Sequence, residues 1–196
     1  KLLRGWGRSS AIFNESEGIK LRFNTKIDGI PYDGKYIFSE MGYNFLPSEI
    51  SAAFAIEQLK KLKNNIKIRI KNFNFLKDFF KKYNKFLNLP KQNKNVKTGW
   101  LAFPLVLKNN KKIKRKELQI FLEKRGIQTR TIFTGNILRQ PIMKNKIYKK
   151  HSLANKVSDN VMKNGILIGC HHGLKYSELK YICKIFQKYF SKFKIN

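Results

Sequence analysis

This 196-residue chain has few cysteines and no long uncharged apolar run. The two cysteines, Cys170 and Cys183, are too few for a disulfide scaffold and fit a reducing compartment such as the cytoplasm. No run reaches the roughly 18 uncharged apolar residues that a membrane-spanning helix requires. These absences exclude a disulfide-stabilised secreted module and favour a cytoplasmic protein without a membrane partner.

Acidic residues are also scarce, because 12 Asp and Glu stand against 42 Lys and Arg, for a net charge of +30. Such an excess suggests nucleic acid as a partner, since basic side chains neutralise phosphates and release counterions. The basic residues are, however, 34 Lys and only 8 Arg, spread along the whole chain. Arg is the side chain suited to bidentate phosphate and base contacts. We therefore expect a solvated lysine-rich surface, and a nucleic-acid-binding module is the alternative.

The sequence pattern divides the chain into three regions. Residues 1–47 show little periodicity and many Gly and Pro turn signals, yet they carry aromatic side chains that need something to pack against. Residues 48–83 contain neither Gly nor Pro and repeat apolar residues every three or four positions, which predicts one long helix capped by Ser48. Residues 84–196 alternate short apolar runs with amphipathic segments, which predicts a small α+β domain.

Within residues 84–196 the pattern predicts a sheet of about three strands with helices on one face. The apolar run 100–107 contains Pro104, which places this strand at a sheet edge or a bulge. The other predicted elements are a helix over 114–125 capped by Gly126, a strand over 127–133, a helix over 152–163 ended by Gly165, a strand over 166–168 and a final helix capped by Ser177.

Two short polar groups are candidate sites from local chemistry. Asn44 lies just before the start of the long helix, where free backbone N–H groups and an amide donor suit a phosphate, although a simple turn explains the same residues. Cys170, His171 and His172 could suggest zinc together with Cys183, but their spacing matches no common structural zinc pattern. A buried cysteine that ends a strand, followed by two loop histidines, is the simpler interpretation.

The stretch Thr129–Pro141 is a third candidate. Two arginines, Arg130 and Arg139, and the amide side chains of Asn136 and Gln140 lie close together in sequence. Convergent cationic and amide donors suit a phosphorylated or sugar substrate, whereas polarity at an edge strand is the structural alternative. Walker-type, GxGxxG, GxSxG and HExxH motifs are absent from the sequence.

Four stretches taken together are more specific than any single site. They are LLRGWGR (Leu2–Arg8), GYNFLPSEISAAFAIEQLKKL (Gly42–Leu62), TRTIFTGNILRQP (Thr129–Pro141) and GCHHGL (Gly169–Leu174). The second resembles the signature of the DegT/DnrJ/EryC1/StrS family of pyridoxal-phosphate-dependent sugar aminotransferases and dehydratases. The other three resemble the family's 3-dehydratase branch, which acts on CDP- or GDP-4-keto-6-deoxyhexoses in lipopolysaccharide biosynthesis.

This resemblance implies the C-terminal half of the type I aminotransferase fold, an α/β fold. Residues 1–47 would be the end of the large domain with active-site and interface loops, 48–83 the long connecting helix, and 84–196 the small domain. Family members work as homodimers with active sites between the subunits. The motif's Asn, here Asn44, reaches the phosphate of the neighbouring subunit's cofactor. We therefore expect a homodimer, with pyridoxal 5′-phosphate or pyridoxamine 5′-phosphate as cofactor.

The resemblance also implies which residues the chain lacks. Aminotransferases of the family use a Schiff-base Lys and 3-dehydratases a His in its place, and both are expected upstream of the LLRGWGR stretch. We therefore expect no catalytic residue in this chain and no conversion by these 196 residues alone. The upstream residue decides between a dehydratase and an aminotransferase, and a non-catalytic paralogue that lacks both is the remaining alternative.

The substrate and metal expectations follow from the same resemblance. Arg130, Asn136 and Arg139 are the candidates for contacts with a nucleotide-linked 4-keto-6-deoxy sugar, followed by His171 and His172. Some CDP-sugar 3-dehydratases carry cysteines for an iron–sulfur cluster just after the WGR sequence, where this chain has SSAI. We expect no such cluster, and no other metal.

Overall fold

The computed structural model describes residues 1–13, 19–108, 113–148 and 154–193. The first two residues of the helix predicted over 152–163 lie outside these ranges. No helix within them is long and apolar enough to cross a membrane. The chain has two compact units, Lys1–Lys60 and Lys61–Asn196.

The first unit contains more regular structure than its sequence pattern predicts. Helix α1 (Ile19–Phe23) is followed by a hairpin of β1 (Thr25–Ile27) and β2 (Ile30–Tyr32), which pair antiparallel. Asp28 and Gly29 form the two-residue turn, and both have positive φ angles, +49° and +82°. An Asp-Gly turn of this kind matches the twist of the flanking strands. The dipeptide is therefore the sequence signal for the hairpin, in a region without clear periodicity.

Helix α2 (Glu49–Phe80) begins where the sequence predicts. The Ser48 carbonyl accepts the first helical hydrogen bond, from the Ala52 N–H at 3.0 Å, so Ser48 occupies the capping position. The α-helix ends at Phe80, and Lys81–Tyr83 continues as a 3-10 turn. The predicted α/β class, with a long helix and a small sheet, is confirmed.

The apolar face of α2 is buried in one part of the helix and exposed in the other. In the second unit, Phe73, Leu76 and Phe80 are at most 1% exposed and enter the core. In the first unit, Ile56 and Leu59 remain 58% and 67% exposed. The periodic pattern therefore predicts the helix and its apolar face correctly, but not how much of that face the chain itself covers.

Among the described residues, the second unit contains a four-stranded sheet rather than the predicted three strands. In chain order its elements are β3 (Leu87–Asn88), β4 (Ala102–Leu107), α3 (Arg115–Glu123), β5 (Thr129–Arg130), α4 (Ala154–Asn164), β6 (Gly165–Gly169) and α5 (Tyr176–Phe190). The strands lie in the order β3-β4-β6-β5, and all neighbouring pairs are antiparallel. The strand missing from the prediction is β3, because two residues are too few to show a period.

Pro104 lies inside β4, a strand with neighbours on both sides. It faces Leu167 of β6, whereas β3 reaches only Val106 and Leu107. Because β3 ends before it reaches Pro104, the proline stands beside a locally open edge, where it interrupts no ladder on that side. The predicted edge position is therefore wrong for the strand, because β4 lies between β3 and β6, and Pro104 is tolerated only because β3 is too short to reach it.

The core of the second unit is formed by the sheet together with α2, α3 and α5. Along β4 the buried residues alternate, as Phe103, Leu105 and Leu107, with half-buried neighbours between them, as expected for a strand that packs on one face. The Phe80 ring lies 5.5 Å from Phe103 and 4.8 Å from Phe186, measured between centroids. Aromatic contacts therefore connect the long helix to the sheet and to the last helix.

Helix α3 ends as predicted, at a glycine cap. The Gly126 N–H donates to the Glu123 carbonyl at 3.0 Å, and the Ile127 N–H donates to the Leu122 carbonyl at 3.1 Å. Gly126 has a φ of +71°. This is a Schellman motif, which requires a left-handed residue that glycine adopts without steric cost.

Three other predicted boundaries are wrong. Strand β5 covers only Thr129–Arg130, and the chain enters the left-handed region at Phe133, where φ is +45°. Gly165 begins β6 instead of ending a helix, because α4 runs directly into this strand. Helix α5 has Lys175 at its cap, so Ser177 lies within the first turn.

The two faces of α3 provide a matched stability test. Leu118 is fully buried, whereas Ile120 on the same helix is 46% exposed. We expect Leu118→Ala to lower the free energy of unfolding by about 2–5 kcal/mol, because it leaves a cavity in the core. Ile120→Ala should lower it by less than about 1 kcal/mol. Urea unfolding of both variants measures the difference, and equal effects would contradict the assigned face.

Candidate functional site

The LLRGWGR and GYNF stretches pair with each other in the first unit. The Tyr43 N–H donates to the Leu3 carbonyl at 2.6 Å, and the Phe45 N–H donates to the Arg4 carbonyl at 2.8 Å. In the opposite direction, the Trp6 N–H donates to the Tyr43 carbonyl at 2.9 Å. Two of the four stretches that carry the family resemblance therefore form one backbone ladder, although most of the first unit separates them in sequence.

Two glycines make this close approach of backbones possible. A Cβ on Gly7, whose φ is +78°, would lie 2.6 Å from the carbonyl carbon of Glu40. A Cβ on Gly42 would lie 2.6 Å from the carbonyl carbon of Trp6. Side chains do not tolerate backbone atoms this near, so both positions require glycine.

Asn44 is exposed, and the ladder fixes its backbone. It forms an antiparallel bridge with Gly5, and the rings on either side of it, Tyr43 and Phe45, stack with centroids 5.1 Å apart. Its side-chain amide offers two N–H donors, which suit phosphate oxygens. Glu49 in the first turn of α2 places a negative charge at that helix terminus. That charge makes the helix terminus less favourable to an anion.

In the second unit, Asn136 and Arg139 both bind Asp159 of α4. The Arg139 guanidinium donates through Nε to Oδ1 at 3.0 Å and through Nη2 to Oδ2 at 2.7 Å. Asn136 is 3% exposed, and its Nδ2 donates to the same Oδ1 at 2.8 Å. We call these three residues the Asp159 clamp. It holds the Thr129–Pro141 stretch to α4, which gives two predicted substrate contacts a structural role that the sequence did not indicate.

The electrostatics of the Asp159 clamp agree with its geometry. Hydrogen bonds from Arg139 and from Asn136 lower the pKa of Asp159 from its ordinary 3.8 to about 2. The same ion pair raises the pKa of Arg139. Asp159 is a residue that sequence reasoning missed. The sequence feature that could have drawn attention to Asp159 is the scarcity of acidic residues, since the chain has only 12 of them.

Arg130 stands apart from the Asp159 clamp, at the exposed end of β5. Its Nη1 donates to the Thr129 carbonyl at 2.9 Å, and the residue is exposed. Thr129 is anchored by Glu123, whose Oε1 accepts from the Thr129 N–H at 2.6 Å and from its hydroxyl at 2.8 Å. These two donors lower the pKa of Glu123. The strand that carries Arg130 is thus fixed to α3.

The GCHHGL stretch forms a loop after β6. The Asn72 side chain on α2 is buried and donates through Nδ2 to the His171 carbonyl at 2.9 Å, while the His171 Nδ1 accepts from the Gly173 N–H at 3.2 Å. Both histidines are exposed. A cavity of about 340 Å³ lies beside the loop, and its polar lining residues are Gln128, His171, Glu178 and Tyr181.

The cysteines of this region are poorly suited to bind a metal. Cys170 is fully buried, and its Sγ donates to the Trp100 carbonyl at 3.6 Å. Burial raises the pKa of Cys170 and of Cys183 to about 11, which disfavours the thiolate that zinc requires. Within the described part of the chain, no group of three or more His, Cys, Asp or Glu is placed to hold a metal ion.

The low pKa of Asp159 predicts how the stability of the clamp depends on pH. A carboxyl whose pKa is lower in the folded state contributes stability above its unfolded pKa and loses it as the pH falls towards the folded value. We therefore expect Asp159→Asn to lower the Tm most above about pH 5, and the Tm difference from wild type to disappear near pH 2. Calorimetric scans from pH 2 to 7 measure this.

Asp78→Asn is the matched control for that experiment. Asp78 forms an ion pair with Lys81 at 2.7 Å, in which both side chains are about two-thirds exposed. Because exposed ion pairs contribute little to folding stability, Asp78→Asn should change the Tm only slightly at every pH. A pH-independent effect of Asp159→Asn would show that the ion pair does not stabilise the loop.

Comparison with known proteins agrees with the motifs. A family model, the DegT/DnrJ/EryC1/StrS aminotransferase family, matches residues 12–187. The chain is 34% identical over 187 residues to the GDP-4-keto-6-deoxy-D-mannose 3-dehydratase of Yersinia pseudotuberculosis, which covers 94% of this chain and 44% of that protein. It is 33% identical over 172 residues to the lipopolysaccharide biosynthesis protein RfbH of Salmonella typhimurium, which covers 86% of this chain and 39% of that protein.

A solved structure shares the fold. The E. coli GDP-4-keto-6-deoxy-D-mannose-3-dehydratase with bound hydrated PLP matches with a TM-score of 0.72 and 29% identity, over 93% of this chain and 45% of that one. The chain thus spans less than half the length of each of these relatives. The family match extends over most of the sequence, including the GYNF stretch, the long helix and the Asp159 clamp. The chain belongs to the DegT/DnrJ/EryC1/StrS aminotransferase family.

Proposed function

We propose that this chain supplies the C-terminal half of a nucleotide-sugar 3-dehydratase that acts on a CDP- or GDP-linked 4-keto-6-deoxyhexose. The observation that carries the proposal is the 34% identity over 94% of the chain with a protein named GDP-4-keto-6-deoxy-D-mannose 3-dehydratase. The reaction would serve deoxysugar and O-antigen synthesis, in line with the name of the RfbH relative. We place it in the cytoplasm, which suits two buried free cysteines.

The cofactor of this proposal is pyridoxal or pyridoxamine 5′-phosphate. A related enzyme of known structure contains hydrated PLP, and Asn44 fits the phosphate because it is an exposed amide on a rigid ladder. When bound, the cofactor supplies an electron sink for bond cleavage next to the sugar carbonyl. The chain's own part is to hold the phosphate and, through its second unit, to bind and orient the nucleotide sugar.

We include in the proposal that Asn44 serves the cofactor of a neighbouring subunit in a homodimer. The segment around Asn44 exposes more large apolar side chains than a free surface usually carries. They are Met41, Tyr43, Phe45, Ile50 and Phe54. A second copy of the chain that covered this segment would bury them and place the amide at the subunit boundary.

The candidate substrate contacts divide into two groups. Arg130 is an exposed residue outside the Asp159 clamp and is our candidate for the diphosphate, whereas Asn136 and Arg139 act through the clamp by fixing the loop. His171 and His172 remain candidates for the sugar end, because His171 lines the cavity of about 340 Å³.

We also propose that the enzyme has no iron–sulfur cluster. The stretch after the WGR sequence forms a 3-10 helix, Ser9–Phe13, in which Ser9 Oγ donates to Ser39 Oγ at 3.1 Å and Ser10 Oγ donates to the Lys35 carbonyl at 3.3 Å. These side chains make ordinary hydroxyl contacts where a cluster would need thiolates.

Product analysis tests the proposed reaction. The natural protein, with any segment that precedes Lys1, is incubated with the cofactor, glutamate and GDP-4-keto-6-deoxymannose. A dehydratase gives a sugar that has lost the C3 oxygen and kept its ketone, whereas an aminotransferase gives a sugar whose keto oxygen is replaced by an amino group. Mass spectrometry of the product distinguishes the two. An unchanged substrate together with no cofactor absorbance band would refute the proposal.

The role of Asn44 is tested by Asn44→Ala. Loss of a hydrogen bond to a charged group costs about 1.5–3 kcal/mol, so we expect cofactor affinity to fall about 10- to 100-fold. Absorbance after dialysis measures cofactor retention. Asn24→Ala removes an exposed amide of the same unit and should leave retention unchanged. Equal retention in the Asn44 and Asn24 variants would remove Asn44 from the cofactor site.

A mixed-dimer experiment tests the assignment to the neighbouring subunit. Asn44→Ala subunits are combined with subunits that lack the upstream Lys or His. If Asn44 serves the neighbour, each mixed dimer has one intact site and regains activity. If Asn44 serves its own subunit, every site of the mixed dimer is defective.

A further inference from the structure

Phe133 combines a disfavoured backbone with an exposed ring. Its φ of +45° lies in the left-handed region, which bulky side chains rarely adopt. Its side chain is nevertheless 80% exposed, so the chain gains almost no burial of apolar surface in return. Strained residues of this kind persist only where the surrounding structure determines their conformation, and they cluster at ligand sites.

The surroundings of Phe133 do determine its conformation. On its C-terminal side, a Cβ on Gly135 would lie 2.6 Å from Cγ of Met162, so α4 packs directly on the backbone there. The Gln140 Nε2 donates to the Thr134 carbonyl at 3.1 Å, and the Asp159 clamp holds the next residues. On its N-terminal side, the Thr131 hydroxyl donates to the Phe133 carbonyl at 3.1 Å.

Several residues near Phe133 in the sequence are polar and exposed, although its direct neighbour Ile132 is apolar and half-buried. Thr131 and Thr134 carry hydroxyls, and Arg130 carries a cation within three residues, so its Cα lies at most about 11 Å away along the chain. An exposed aromatic ring within three residues of an arginine and two hydroxyls in sequence matches a ligand with a flat ring joined to phosphates. A nucleoside diphosphate has this chemistry, because its base stacks on aromatic rings and its phosphates attract arginine.

We infer that Phe133 is a specificity-determining residue, a platform on which the base of the substrate's nucleoside diphosphate stacks. The inference rests on the proposed function, because it assigns one part of that enzyme's substrate. It also gives the Asp159 clamp its purpose, which is to keep the loop rigid so that the ring is presented to the ligand at no further ordering cost.

The test measures nucleotide affinity separately from catalysis. The natural protein, with any segment that precedes Lys1, is titrated calorimetrically with GDP, CDP and dTDP, and the diphosphate that binds most tightly becomes the probe. Phe133→Ala should weaken its binding about 5- to 100-fold, the range expected for one stacked base. Phe133→Trp should retain binding. With the intact substrate, Phe133→Ala should raise KM by a similar factor and leave kcat nearly unchanged.

Phe133→Gly separates a ligand role from a structural one. Glycine adopts positive φ without steric cost, so this variant relieves the strain. We expect its Tm to equal or exceed that of the wild type while its nucleotide affinity falls as in Phe133→Ala. Ile142→Ala, which removes a 71% exposed apolar side chain of the same unit, is the control and should leave affinity unchanged.

The outcomes separate this inference from the proposed function. Turnover by the wild type with unchanged diphosphate affinity in Phe133→Ala overturns the platform and leaves the enzyme assignment intact. Turnover without measurable binding of any of the three diphosphates also overturns it. A lower Tm in Phe133→Gly, in proportion to the loss of affinity, shows a packing role and overturns it as well. Absence of turnover and of cofactor absorbance in the wild type refutes the proposed function itself.

Discussion

Burial of the C-terminal half of α2 is the constraint on which the second unit depends. Phe73, Leu76 and Phe80 are almost completely buried, and each contributes on the order of 1.5–3 kcal/mol from the removal of apolar surface from water. Because they lock the helix to β4 and α5, Asn72 on the same helix can reach the carbonyl of His171. The position of an exposed loop with two histidines thus follows from hydrophobic packing one turn away.

Three of the chain's acidic residues share one structural use. Asp159 holds Asn136 and Arg139, and Glu123 holds the N–H and hydroxyl of Thr129. In the first unit, Asp33 accepts hydrogen bonds from Arg22 and from the Lys35 N–H, which lower its pKa. These three carboxylates therefore fix loops and strand ends, whereas Asp78 forms an exposed ion pair with Lys81. With 42 basic and only 12 acidic residues, most basic side chains of the chain cannot be paired with a carboxylate.

The sequence predicted the elements that show a hydrophobic period and those that require a particular residue type, such as glycine. The period of α2, the presence of the final helix α5 and the glycine cap at Gly126 are local patterns, and the structure contains all three. The four stretches that carry the family resemblance predicted the fold. Strand β3 and the short extent of β5 were missed, because strand pairing depends on partners far away in sequence.

The candidate site was less predictable than the fold. Arg139 and Asn136 have the residue types of substrate contacts, but their partner Asp159 lies on another helix, and no local pattern joins them. The sequence predicted a strand over 127–133 and gave no sign of the positive φ angle at Phe133, because φ angles cannot be deduced from residue types alone. A residue whose role depends on a partner far away in sequence, or on an unusual backbone conformation, can be identified only from the folded structure.

The contact between Gly7 and Gly42 has a consequence for how such chains diverge. Each glycine occupies space that a side chain on the other's strand would need, and each faces backbone atoms that cannot rotate away. A side chain at either position would therefore be strained as soon as it was introduced. It would collide with backbone atoms whatever residue stands at the other position, so a substitution at one glycine cannot be compensated by a substitution at the other.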